Sequence, residues 1–247
     1  MSKELMSDSV EIRPQVTVLS VLRHLNYKPW FAIAEFIDNS IQSFIDNYDS
    51  LKSTHGEDYE FNIDIKIDTT PPGRIIIKDN AGGIASKDFH RAFRTAQTPP
   101  NQKGLSEFGM GMKSAACWFA ERWTVRTKAI NEKYERTIHF DINKIVKENI
   151  NSLEITLQPS ENIFHYTTIQ LKNLHHIPQG RTLKKIKDHL SSIYRVFLND
   201  KFITIKFNDE FLSYDSPDIL RAPRYKLPGV LSDDKKLLFG KKTSTSI

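Results

Sequence analysis

Cysteine is nearly absent: among 247 residues there is one, Cys117. That excludes an internal disulfide and a cysteine-built metal cluster, and it favours a reducing cytoplasm. The eight histidines are scattered without HxxxH or HExxH spacing, so a zinc enzyme is not expected. No apolar run is long enough to span a bilayer. No charged-then-apolar leader follows Met1. The chain therefore reads as soluble and unexported, with no membrane partner. Internal repeats are lacking too.

Charge excess is missing from most of the chain. The net charge is +5, from 35 basic and 30 acidic residues. Seven of those basic and two of those acidic residues lie at or beyond Arg221, which leaves 28 of each before it. The body is electroneutral, so charge-driven nucleic-acid binding would belong to the basic tail. The length suits one large domain, or one domain with an appendage.

What is present centres on Ile33–Ile45. Ile33, Ile37, Ile41, Phe44 and Ile45 repeat at helical spacing and predict a stripe buried against a sheet. The opposite face carries Glu35, Asp38, Asn39 and Gln42, with no lysine or arginine from Ala32 to Tyr48. Glu35 and Asn39 are four apart, so a helix stacks a carboxylate beside a carboxamide. One oxygen base next to one neutral ligand suits activation of water beside a magnesium-bound phosphate. The same pattern also describes an ordinary amphipathic helix, and both readings stand at this point.

Around that stretch the order is α+β. Thr17–Leu25 predicts a short helix stopped before Pro29. Asp49–Tyr59 reads as a polar loop. Phe61–Ile67 alternates apolar and polar residues as a half-buried strand, and DTTPPG turns it into a second strand, Arg74–Lys78. Ser86–Arg94 reads as a helix capped by Ser86. Thr95–Met112 has no usable period and is long enough to be a functional lid. A helix over Lys113–Glu121 follows, then strands at Trp123–Lys128, Arg136–Ile142, Leu153–Gln158 and Thr167–Lys172. Thr182–Leu198 reads as one helix, and Phe202–Tyr214 as a hairpin around Asn208 and Asp209. The expected fold is helices on one face of a mixed, mostly antiparallel sheet.

Three further fragments carry chemistry. In GLSEFGMGMKSA (Gly104–Ala115), glycines expose backbone N–H groups ahead of a helix N-terminus, and Lys113 adds charge, which favours anions. Walker A spacing is broken by Met112, and a Rossmann fingerprint by Ser114. Asp79 ends a strand before Asn80-Ala81-Gly82-Gly83. It can accept a hydrogen bond from an exocyclic amine or simply close an Asx-turn. Thr167 puts a hydroxyl at a strand start, where threonine is also a common β-former.

Taken in this order the fragments resemble the GHKL superfamily of ATPases: DNA gyrase, the ninety-kilodalton heat-shock chaperone, histidine kinases, MutL and the MORC proteins. AEFIDNSIQSF resembles the N box, DNAGGI the first glycine box and GLSEFGMGMKSA the second. The N-box spacing and the FGMGMKSA run look closest to MORC-type and related prokaryotic proteins.

The resemblance implies a Bergerat fold over residues 1–215, with an N-terminal segment 1–30, an ATP lid 95–112, and a linker or further domain at 216–247. It implies ATP and Mg²⁺ as ligands, with Glu35 as general base, Asn39 as the magnesium ligand and Asp79 reading the adenine amine. Gly83 would pass the base, Gly109, Gly111 and Lys113 would cradle the phosphates, and Thr167 would support the adenine. Ala81 stands where the family has a glycine, and Gln42 where many members have aspartate.

In the family, efficient turnover takes a further lysine from a transducer domain, for which 216–247 is too short. The expectation is therefore a slow, Mg-dependent ATPase in which ATP closes the lid and a homodimer, acting in the cytoplasm in DNA-related processes. The alternatives are a nucleotide-binding module without turnover, or a protein kinase or chaperone of the same superfamily.

Overall fold

Helix formation at the N box begins ahead of its apolar stripe. Lys28 is extended (ψ 142°), as a residue before proline tends to be. Pro29 then takes the first helical position, where its fixed φ is an advantage and its missing N–H costs nothing. The computed structural model describes residues 16–94, 110–199 and 203–215, with two short strands, Pro223–Arg224 and Leu227–Leu231.

The first elements are α1 (Val18–Val21), a 3-10 turn (Leu22–His24) and α2 (Pro29–Asp46). Along α2, Ile33, Phe36, Ile37 and Ile41 are fully buried. Ile45, expected in the same stripe, is instead 46% exposed. Next comes α3 (Tyr48–His55), where the sequence suggested a loop. Its polar composition hides a single anchor, Leu51, which is completely buried. Gly56 ends it, donating its N–H to the Lys52 carbonyl.

The strands are β1 (Asn62–Asp68), β2 (Arg74–Asp79), β3 (Ala120–Lys128), β4 (Tyr134–Asp141), β5 (Ile155–Pro159), β6 (Tyr166–Leu174), β7 (Thr204–Phe207) and β8 (Glu210–Phe211). They form one sheet in the order β5-β4-β3-β6-β2-β1-β7-β8. The β1–β7 pair is parallel and the other neighbours are antiparallel. Ile63, Ile65 and Ile67 are buried while Asn62, Asp64 and Lys66 between them are not, so one face meets the core. Asn208 and Asp209 join β7 to β8 with both residues at positive φ, the conformation that a two-residue hairpin turn requires.

The remaining helices are α4 (Ser86–Phe93), α5 (Gly111–Phe119), α6 (Ile142–Lys147), α7 (Arg181–Ile193) and α8 (Arg195–Asn199). The cap of α4 is Ala85, without a side-chain bond, so Ser86 is its first residue and not its cap. Helix α6 has no counterpart in the sequence reading. Asp141 caps it through the Lys144 N–H, and Ile142 and Ile145 bury its short face. The expected single helix from Thr182 to Leu198 breaks at Tyr194, whose buried hydroxyl donates to Asp38 Oδ1 at 2.7 Å. Every residue of α5 from Lys113 to Phe119 is buried, and the small Ala115, Ala116 and Cys117 let it pack closely against α2 and the sheet.

The chain divides after Ser213 into two units. In the second, β9 (Pro223–Arg224) and β10 (Leu227–Leu231) pair in antiparallel fashion. Among the described residues no helix is long and apolar enough to cross a membrane.

Candidate functional site

Helix α2 lays out the site along its length. A Cβ on Gly111 would stand 1.9 Å from Glu35 Oε2, so the Glu35 carboxylate lies directly against the first residue of α5. Ser40 Oγ then donates to Asp79 Oδ2 at 2.7 Å. Ser43 Oγ donates to the Gly83 carbonyl at 3.2 Å. Asn47 fills the space that a Cβ on Gly82 would need, 2.4 Å from its Cγ. From Glu35 to Asn47 the helix rises about 18 Å, and both glycine-rich fragments are docked on it.

Between α2, α4, α5 and the sheet lies a cleft of about 510 Å³. Asn39, Asp79, Gly83, Gly111, Lys113 and Thr167 all line it. Glu35 is not part of that lining but lies against Gly111, which is. Gly109 and residues 95–108 of the expected lid lie outside the described residues. A larger groove of about 760 Å³ runs over Leu19, Phe93, Phe140 and Leu153. It holds none of the residues singled out from the sequence.

Asp79 is 5% exposed and is held from three elements. Oδ2 accepts from Ser40 of α2. Oδ1 accepts from the Ala81 N–H at 2.9 Å and, across the sheet, from the Thr167 N–H at 3.3 Å. The Ala81 bond is an Asx-type contact, so the turn-closing role and the inward-facing role coexist in one carboxylate. Burial raises its pKa to about 6, against the lowering effect of those three hydrogen bonds.

Ala81 is fully buried and is not among the positive-φ residues. The left-handed position of this turn is Gly83, at φ +72°, where a Cβ would stand 2.1 Å from the Lys128 carbonyl. An alanine at 81 therefore costs the turn nothing. Its carbonyl is bonded to His165 Nδ1 at 2.8 Å, which buttresses the turn from behind.

Two polar residues here escaped the sequence reading. Ser40 sits on the buried side of α2 between Ile37 and Phe44, and a lone hydroxyl in an apolar stripe was the available signal. Thr127 Oγ1 accepts from the Ile84 N–H, lies 3.1 Å from Thr167 Oγ1 and donates to the Tyr166 carbonyl. It looked like any other β-branched strand residue.

At the α5 end the charges are reversed. Lys113 is 2% exposed, and its ammonium donates to the Ala92 carbonyl of α4 at 2.7 Å. Burial lowers its pKa to about 8, with the nearby Arg91 charge adding to the effect. Glu35 is shifted upward, first by burial and then by the neighbouring Asp38 carboxylate. Asn39 donates through Nδ2 to the Glu35 carbonyl at 2.6 Å, which leaves Oδ1 as its available acceptor.

Helices and a mixed sheet thus bring a buried acid, a left-handed glycine and a glycine-started helix to one cleft, a setting suited to a polar, anionic ligand. The family model described as histidine kinase-, DNA gyrase B-, and HSP90-like ATPase matches residues 27–175, more than half of the chain. The chain belongs to that family, and the domain is a GHKL-type ATP-binding module with the Bergerat α+β fold. No curated protein matches it.

The Asp79 environment has a consequence for stability. Because its folded pKa of about 6 lies above the ordinary 3.8, its contribution to stability is fully present below about pH 4 and is lost as pH rises through 6. Asp79→Asn keeps an acceptor for Ala81 and Thr167 and offers Ser40 a donor. In thermal melts the variant should match the wild type near pH 4 and melt higher above pH 7. A wild type that gains on the variant over that interval would show the carboxylate to be net stabilising.

Proposed function

We propose that this domain binds Mg-ATP in the α2–α5 cleft and hydrolyses it slowly, using the nucleotide chiefly as a switch for lid closure and dimerisation. The observation that carries the reading is the presence in one cleft of a buried acid suited to an exocyclic amine and a cationic helix start suited to phosphate. Asp79 Oδ2 accepts from Ser40 alone among the described residues and keeps a lone-pair direction for the adenine amine. Gly83 lets the backbone run flat past the base, and Thr167, tied to Thr127 and Asp79, supports it. Gly111 and Lys113, with Gly109 from the lid, would surround the phosphates.

Magnesium takes oxygen ligands and usually keeps several waters alongside one or two protein groups and substrate phosphates. Among the described residues no cluster of three or more ligating side chains forms a cage. Oδ1 of Asn39, which takes no hydrogen bond from the described residues and whose amide nitrogen is committed to the Glu35 carbonyl, fits that sparse requirement. The ion would supply neutralisation of the phosphate charge. Glu35 would orient the attacking water and take its proton, and its raised pKa brings it closer to neutrality as a base. With no covalent intermediate to form, catalysis rests on positioning and charge.

The deciding comparison is nucleotide binding and phosphate release in Glu35→Ala and Asp79→Asn. Glu35→Ala should bind ATP as the wild type does and lose turnover, while Asp79→Asn should fold and lose binding. Asp79→Asn binding ATP with wild-type affinity would sink the assignment.

The switch is expected to work through the N-terminal segment 1–30 and the lid 95–112, as family membership suggests, with a kinship nearest to MORC-type proteins. Light scattering should show a dimer with a non-hydrolysable ATP analogue, and an unchanged monomer at high concentration would refute it. We assign residues 1–215 to the ATPase domain and 216–247 to a basic linker or the start of a following domain. A DNA-related role rests on the seven basic residues from Arg221 onward. DNA affinity should fall steeply with salt and vanish on deleting 221–247, and binding that survives the deletion would relocate it. The single cysteine, buried at 117, suits a cytoplasmic setting.

A further inference from the structure

We infer that Arg91 of α4 is a second cation for the terminal phosphates, held by Asp88 until the nucleotide arrives. The inference rests on the ATP reading above and assigns a residue outside the three sequence boxes.

Lys113 is the starting point. Its ammonium is buried, and among the described residues its acceptor is one neutral carbonyl, that of Ala92. A buried cation with a single neutral acceptor is poorly compensated. Its charged neighbour is Arg91, a second cation, which depresses it further. Two like charges meet on one side of a cleft whose lining also includes Gly111 at the start of α5. That arrangement is unfavourable when empty and favourable around an anion.

Arg91 is suited to move. It lines the cleft, its side chain is 30% exposed, and its Nη2 bonds Asp88 Oδ1 at 2.9 Å one turn earlier on the same helix. Partly exposed pairs of this kind hold weakly. A guanidinium has five donors in a planar fork that matches phosphate oxygens, and among the described residues one of them is bonded. Lys87, four residues before Arg91 and so on the same side of α4, lines the cleft too. Asp88 is then an internal counterion that Arg91 exchanges for the nucleotide. The base end of the site, at Asp79, is reached by neither residue in any of the bonds present, so the effect should depend on phosphate number.

The test is calorimetric titration of the full chain with ATP, ADP and AMP in the presence of magnesium, for the wild type, Arg91→Ala, Arg91→Lys and Asp88→Asn, with thermal melts as a folding control. Losing a charge-assisted hydrogen bond to phosphate should weaken ATP by about tenfold or more in Arg91→Ala, and leave AMP unchanged. Arg91→Lys should recover part of the loss, and Asp88→Asn, by freeing the guanidinium, should tighten ATP alone. Equal weakening of all three nucleotides in Arg91→Ala would mark a structural role and overturn the inference, as would unchanged ATP binding. A wild type that binds no ATP would sink the ATP reading itself, whereas a wild type that binds ATP with an indifferent Arg91→Ala sinks this inference alone.

Discussion

The hydrogen bond from Ser40 to Asp79 ties the helical layer to the centre of the sheet, and the site hangs from it. Asp79 ends β2, a central strand, and Ser40 sits midway along the longest helix. The same carboxylate receives the Ala81 and Thr167 N–H groups. One side chain thus fixes the register of three elements that are far apart in sequence. The bond also explains how a carboxylate survives almost complete burial: charge-assisted hydrogen bonds offset part of the desolvation cost that raises its pKa.

The cleft is electrically polarised along α2. At the Asp79 end a carboxylate is surrounded by donors, and at the α5 end the buried Lys113 ammonium has, among the described residues, one neutral acceptor, with the Arg91 cation beside it. Both ends are under-compensated in opposite senses, the acid shifted upward and the lysine downward. A ligand with hydrogen-bond donors at one end and anionic oxygens at the other would relieve both. A nucleotide has that polarity. The wall itself contributes little charge between the two ends, where Asn39 and Ser40 are neutral.

Much of this was legible in the sequence, because period and local chemistry carried it. The alternation in β1, the Asn208-Asp209 turn and the stripe of α2 follow from spacing alone. The meeting of Asn39, Asp79, Gly83, Gly111, Lys113 and Thr167 in one cleft was legible only through the family resemblance of the boxes taken together. The misses share a cause: they depend on contacts with distant residues. Helix α3 is polar except for Leu51, and α6 is too short to show a period. The break at Tyr194 is fixed by a hydroxyl reaching Asp38, 156 residues away. Ile45 looked apolar and therefore buried, but its neighbour Phe44 takes the core-facing position of that turn and leaves Ile45 46% exposed. Lys113 was legible as a cation at a helix start, but its attachment to the Ala92 carbonyl was not.

Gly111 carries one more implication. The space beside its Cα is occupied by the Glu35 carboxylate, so a single hydrogen atom is all that separates the acid from the helix backbone. Helix start and acid are geared together like meshed teeth. That opening turn of α5 also carries Lys113, so a shift of the turn would move the Glu35 contact and the lysine together.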